Sequence, residues 1–118
     1  MKAVKSFTIR RSWWFRGHGG QHSALRREKD GRMCCLGFYL QACGVRNGDL
    51  VGIPKPSMRS WWPGQSELSE LGWLFSKHHY AENALVLLND TRAYSPEERE
   101  GGIRNLFGEN GITVHFVD

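Results

Sequence analysis

Two groups of residues in this 118-residue chain have the types and spacing to do chemistry. The first is the adjacent pair Cys34-Cys35, with Cys43 two helical turns further on. A thiol is a nucleophile only as its thiolate, which a helix N-terminus or a protonated histidine promotes. Cys34 and Cys35 fall in the first turn of an expected helix, and His18 or His22 can approach through a glycine-rich loop. Against this, the neighbours of the pair are all apolar, and free cysteine is among the most buried residue types. Core packing is the favoured reading, and no catalytic residue is assigned. Whether the chain is an enzyme stays open at this point, with a non-enzymatic role favoured over a thiol enzyme.

The second group is Arg10-Arg11-Ser12-Trp13-Trp14-Phe15-Arg16, followed by Gly17-His18-Gly19-Gly20. Aromatic rings can stack bases while guanidinium groups take phosphates, so Arg10, Arg11, Arg16, Arg26 and Arg27 form a candidate phosphate or nucleic-acid set. The glycine loop lacks the Gly-Lys-Ser/Thr of a P-loop and the spaced glycines of a dinucleotide site, so it reads as a tight or flexible turn. Tryptophan with arginine also makes protein–protein hot spots. Two adjacent tryptophans on an extended segment point to opposite faces, which assigns at least one of them to the core. A second pair, Trp61-Trp62, stands in a proline-rich connection with only Arg59 nearby. That arrangement suits an interface better than a base platform. Trp13, Trp14, Arg16, Trp61 and Trp62 are therefore the expected partner-binding set.

Other candidates have plainer explanations. Turn and capping roles account for Asn89, Asp90, Glu97 and Glu98, and His78-His79 suits a helix C-terminal end. No C-x-x-C pair occurs, and the histidine pair spaced i, i+4, His18 and His22, falls in the glycine-rich loop and not on a helix, so neither a metal nor a cofactor is expected. The tetrapeptide Arg-Ser-Trp-Trp recurs at 11–14 and 59–62 without a surrounding match, which marks coincidence rather than a repeat.

These residues have to be held by elements, and the most apolar stretch is the natural centre. Met33 to Val45 carries no charge, while Arg32 and Arg46 stand just outside it. Leu36, Leu40 and Cys43 recur at i, i+4 and i+7, with Cys35, Tyr39 and Ala42 on the next rows, which predicts a helix of about three turns. A helix apolar all round is a buried one. Gly44 stands where a left-handed residue would close it. Upstream, Lys2 to Arg10 alternates as a strand around Phe7 and Ile9, Ser23–Arg26 has room for a short second strand, and Asp30-Gly31 turns into the helix. From Asp49 to Gln65 periodicity is lost among Pro54, Pro56 and Pro63. A helix is expected over about 67–78 from Leu68, Leu71 and Phe75. Ala84 to Leu88 reads by its length as a buried strand, although periodicity leaves a helical turn open. Ser95-Pro96-Glu97-Glu98 starts a helix that ends at Asn110-Gly111, and Ile112 to Val117 alternates as a strand. If 84–88 is a strand, a right-handed crossover follows. The expected class is α+β: one domain over residues 1–118, with a small sheet, a buried central Cys-rich helix and two further helices.

Size and charge agree with this picture. A chain of this length buries enough surface for one core, and no apolar run reaches a membrane span. An odd cysteine count and the absence of a secretory signal point to reduced thiols in the cytoplasm. Residues 1–32 carry nine Lys/Arg against two acids, whereas the remainder carries seven against ten. The basic character therefore belongs to the N-terminal quarter, a candidate surface for acidic partners.

Two stretches also resemble a known family. They are Trp14-Phe15-Arg16-Gly17 with Ser23, Leu25-Arg26, Gly31 to Phe38 and Ala42 to Val45, and then Leu88-Asn89-Asp90, Ser95 to Glu100, Leu106-Phe107 and Gly111 to Val114. Together, and through the Met-Cys-Cys-Leu-Gly core above all, they are similar to small phage- and prophage-encoded proteins to which no agreed activity attaches. The resemblance implies a phage setting and an accessory protein that binds and modulates a host or defence protein, an anti-defence inhibitor being one such role. Nucleic-acid or nucleotide-phosphate binding through the basic quarter is the alternative.

Overall fold

A computed structural model describes residues 2–17, 23–58, 71–74 and 80–118. Strand β1 (Ser6–Arg10) pairs in parallel with β2 (Thr113–Val117), Phe7 opposite Val114 and Ile9 opposite Phe116. The predicted alternation is seen: Phe7, Ile9 and Val114 are buried while Ser6, Thr8 and Thr113 face out. The strand is shorter than the Lys2–Arg10 span expected for it, although the chain before it is held by the Lys2 N–H donating to Cys43 O at 2.7 Å.

Helix α1 (Cys35–Ala42) is the core element, with Cys35 to Tyr39 and Leu40 all buried. Apolar residues on every face as far as Leu40 put it inside, and only Gln41 and Ala42 at its end are exposed. It ends where Gly44 adopts φ 101°. The Val45 N–H then reaches Leu40 O (3.0 Å) and the Gly44 N–H reaches Gln41 O (2.9 Å), covering the last carbonyls. Gly37 is required for another reason: a Cβ there would lie 1.8 Å from Leu25 O. The segment around Leu25 is thus pressed directly on the helix backbone. It bends at Leu25 and forms only an isolated bridge, Arg26 with Val51, rather than the second strand expected over 23–26.

Past α1 the chain makes a four-residue helix α2 (Asn47–Leu50) and a 3-10 turn at Pro56–Met58. Trp61, Trp62 and most of the helix expected over 67–78 lie outside the described residues.

Residues 84–88 are not a strand. They belong to helix α3 (Tyr80–Asp90), and no sheet crossover passes through them. The physical reason lies in which residues are buried. The inner stripe is Glu82, Leu85 and Asn89 at i, i+3 and i+7, and two of its three members are polar. Leu87, in the middle of the apolar run, is 58% exposed. Glu82 is accommodated because its carboxylate accepts from Ser57 N (2.7 Å) and Ser57 Oγ (2.6 Å).

Helix α4 (Pro96–Glu109) begins with a capping box: the Glu98 N–H donates to Ser95 Oγ (3.1 Å) and the Ser95 N–H to Glu98 Oε1 (3.0 Å). Its buried face is Arg99, Ile103 and Phe107. Phe107 meets Phe7 (ring centroids 4.9 Å) and Tyr39 (5.2 Å), so sheet, α1 and α4 converge on one aromatic cluster. The molecule is a small α+β domain with a two-stranded parallel sheet and four helices among the described residues. No described helix is long and apolar enough to cross a membrane.

Candidate functional site

The end of α3 gathers a buried polar network. Asn89 Oδ1 accepts from Trp14 Nε1 (2.6 Å) and from the Cys35 N–H (3.0 Å). Its Nδ2 lies within donating distance of Phe15 O (3.0 Å), Ser23 Oγ (3.2 Å) and Asp90 Oδ1 (2.8 Å). Asp90 in turn accepts from Gly17 N (3.2 Å) and Ser23 N (3.4 Å). One carboxamide and one carboxylate therefore fix the whole Trp14–Gly17 segment against α3.

Arg99, from the buried face of α4, completes the frame. Its Nε donates to Tyr94 O (3.3 Å), its Nη2 to Thr91 O (2.9 Å), and its Nη1 to Gly17 O (3.2 Å) and to Asn89 O. The guanidinium is thus spent on backbone carbonyls, and it sets the shape of the turn at 91–94 that joins α3 to α4. Burial, with Arg16 nearby, pulls Arg99 below its usual pKa, while Asp90 works the other way. An arginine starts so high that the charge persists.

The two segments held by this network wall a cleft of about 430 Å³. Trp14, Phe15 and Tyr94 supply its rings, and Arg16, Arg32, Arg92 and Arg99 its charges. No carboxylate lines it among the described residues. Arg16 is steered there by Trp14, its guanidinium carbon lying 4.8 Å from the ring centroid. Arg27 covers Phe15 at 4.0 Å. Arg32 has only a long contact with Asp30 (3.9 Å), and neither Arg16 nor Arg92 forms an ion pair with a described residue. Three guanidinium groups, those of Arg16, Arg32 and Arg92, beside aromatic walls and with the charge of Arg99 behind them, make an arrangement suited to a phosphate or carboxylate carried on a planar or apolar group.

The structure sorts the residues expected from sequence. Trp14, expected at a partner surface, is 2% exposed and hydrogen-bonded to Asn89, so it is a wall and a support, not an exposed anchor. Trp13 next to it closes a 3-10 turn over Arg11–Trp13, in place of the extended segment expected, and is 48% exposed. Arg11, expected to meet phosphate, is instead clamped by Glu100 (2.8 and 2.7 Å) and Asp118 (2.9 Å), and its guanidinium in turn holds the Glu100 carboxyl below its usual range. Arg16 lines the cleft, Arg27 backs it through Phe15, and Arg10 and Arg26 lie together at a separate recess. Of the partner-binding set, Trp61 and Trp62 are not among the described residues.

The cysteines fall on the side of packing. Burial pushes the Cys34 thiol up to about 12 and raises Cys35 and Cys43 as well, so all three stay protonated near neutrality. Cys35 Sγ donates to Leu85 O (3.8 Å) inside the core. Among the described residues no group of three His, Cys, Asp or Glu side chains is placed to hold a metal ion.

Sequence reasoning missed Arg32, Arg92, Tyr94 and Arg99 as cleft residues, and read Asn89 and Asp90 as a turn. Arg92 and Arg99 stand in the acid-rich part of the chain, far in sequence from Arg16, and no local pattern links them. Comparisons of the chain with protein-family models, curated proteins and solved structures give no match.

Proposed function

We propose that the protein binds a phosphate-bearing ligand, a nucleic acid or a nucleotide, in the arginine cleft. The observation that supports this reading is the lining itself: Arg16, Arg32, Arg92 and Arg99 with no described carboxylate among them, beside three aromatic rings. Binding governed by phosphate contacts releases counterions and weakens steeply with salt. The test is a titration of a labelled oligonucleotide at rising salt, with the wild-type protein and with Arg92→Ala. Arg92 is exposed, so the substitution leaves the frame intact. Affinity is expected to fall as salt rises and to drop about tenfold in the variant, with a salt slope shallower by about one contact. Binding that is absent, or indifferent to salt, would overturn the reading.

A second reading has the protein act in a bacterial host cytoplasm as a phage-type accessory protein that modulates a host or defence protein. Trp13 favours it, a half-exposed tryptophan with Arg10 and Arg26 around the same recess, because tryptophan and arginine anchor protein interfaces. Recovery of the tagged chain from bacterial lysate, with and without nuclease, separates the two. A protein retained after nuclease and lost with Trp13→Ala supports the second reading. Loss of all bound material on nuclease treatment supports the first.

A further inference from the structure

The arginine cleft has a neighbour. A second recess, of about 250 Å³, is lined by Arg10, Trp13, Arg26, Gly31, Met33 and Phe38, together with Gln41. It too has two guanidinium groups, an indole and no described carboxylate. The two hollows divide the same pair of segments between them. Trp13 borders one, Trp14 to Arg16 the other; Gly31 and Met33 border one, Arg32 the other.

Those segments are joined as a short ladder. Trp14 and Met33 form a parallel bridge, the Met33 N–H donates to Trp13 O (3.1 Å), and the Phe15 N–H donates to Met33 O (2.9 Å). A ribbon of paired backbone is what the two hollows share. Two basic, ring-bearing recesses bordering one ribbon fit a ligand that repeats.

We infer that the ligand is a single-stranded nucleic acid crossing this ladder, with one nucleotide in the arginine cleft and the next against Trp13. The inference rests on the phosphate-binding reading of the cleft and extends it to a second subsite. A duplex keeps its base faces stacked and offers these recesses only its backbone, whereas an unstacked strand can place bases on Tyr94 and Trp13, the exposed rings of the two recesses. Arg16 and Arg92 on one side and Arg10 and Arg26 on the other then meet the phosphates that flank those bases.

The experiment compares anisotropy titrations of labelled oligothymidine and oligouridine, each of about 10 nucleotides, with a duplex of the same length and with the mononucleotides. Wild-type protein, Trp13→Ala and Arg92→Ala are titrated in parallel. The single strands are expected to bind more tightly than either the duplex or the mononucleotides. Trp13→Ala should weaken the single strand at least about fivefold, and by a larger factor than it weakens the mononucleotides; Arg92→Ala should weaken both. A Trp13→Ala protein that holds the single strand as well as wild type, or a duplex bound as tightly as the strand, would overturn the inference while the cleft continues to bind phosphate. If neither mononucleotide nor strand binds, the cleft reading falls with it.

Discussion

The carboxamide of Asn89 meets donors from two distant parts of the chain, the Trp14 indole and the Cys35 N–H, and turns its own NH₂ towards Phe15 O and Ser23 Oγ. All of these atoms are out of reach of bulk water or nearly so, which makes each lost partner expensive. Asn89→Ala strands two buried N–H donors at once and is expected to cost about 3 kcal/mol. Urea unfolding followed by tryptophan fluorescence would measure it, and a loss under about 1 kcal/mol would show that the network is not what holds Trp14. Asn89→Asp is no remedy, since it keeps an acceptor for Trp14 but sets a second carboxylate beside Asp90. The same residue-level view explains why two neighbouring arginines differ. Arg11 is neutralised by Glu100 and Asp118, whereas Arg16 rests on an indole face and keeps its charge for a ligand.

At the scale of elements, the tightest approach at any described glycine is α1 on the Leu25 segment, where Gly37 leaves no room for a methyl group. Gly37→Ala must displace a backbone carbonyl that is itself tied down, because the Leu25 N–H donates to Ile53 O (2.7 Å) and the Gly52 N–H to Arg26 O (3.0 Å). A loss of about 3 kcal/mol or failure to fold is expected, against a small effect for Gly101→Ala, where the added Cβ meets nothing within 4 Å. Thermal melts of the two variants give the comparison. Elements that announce themselves locally were legible in the sequence: the α1 core with its Gly44 stop, the Ser95 cap of α4, and the alternation in β1 and β2. Helix α3 was not, because its buried stripe contains Glu82 and Asn89 and its apolar run includes exposed Leu87, so hydrophobicity pointed at the wrong face. The cleft was half legible. Arg16 and its rings stand out as a cluster, but Arg92 and Tyr94 reach it only through a turn whose shape depends on Arg99, and that is tertiary information.

For the whole molecule, charge and topology tie the two ends of the described chain together. The first quarter is basic and the remainder acidic, yet the cleft draws Arg16 and Arg32 from one part and Arg92 and Arg99 from the other. Its positive field is a product of folding and not of the basic segment alone. The only sheet among the described residues pairs β1 with β2, and Phe7 of that sheet packs on both Tyr39 and Phe107. Sheet and helices should therefore unfold as one unit. Thr113→Pro removes the N–H that donates to Lys5 O (2.9 Å) and is expected to lower the unfolding midpoint while near- and far-UV signals still change together. A strand that frays alone, with the helices intact, would contradict that coupling. The parallel pairing also has a consequence during translation. Strand β1 leaves the ribosome long before β2, and at about 5–20 residues per second the wait is on the order of ten seconds. Helix α1, which packs on β1, follows early enough to shelter Phe7 and Ile9, but the open edge of β1 has no partner until Thr113–Val117 has been made. In that interval a nascent chain offers its edge to any other strand nearby, so the newborn protein, more than the finished one, is the form exposed to aggregation and to chaperones.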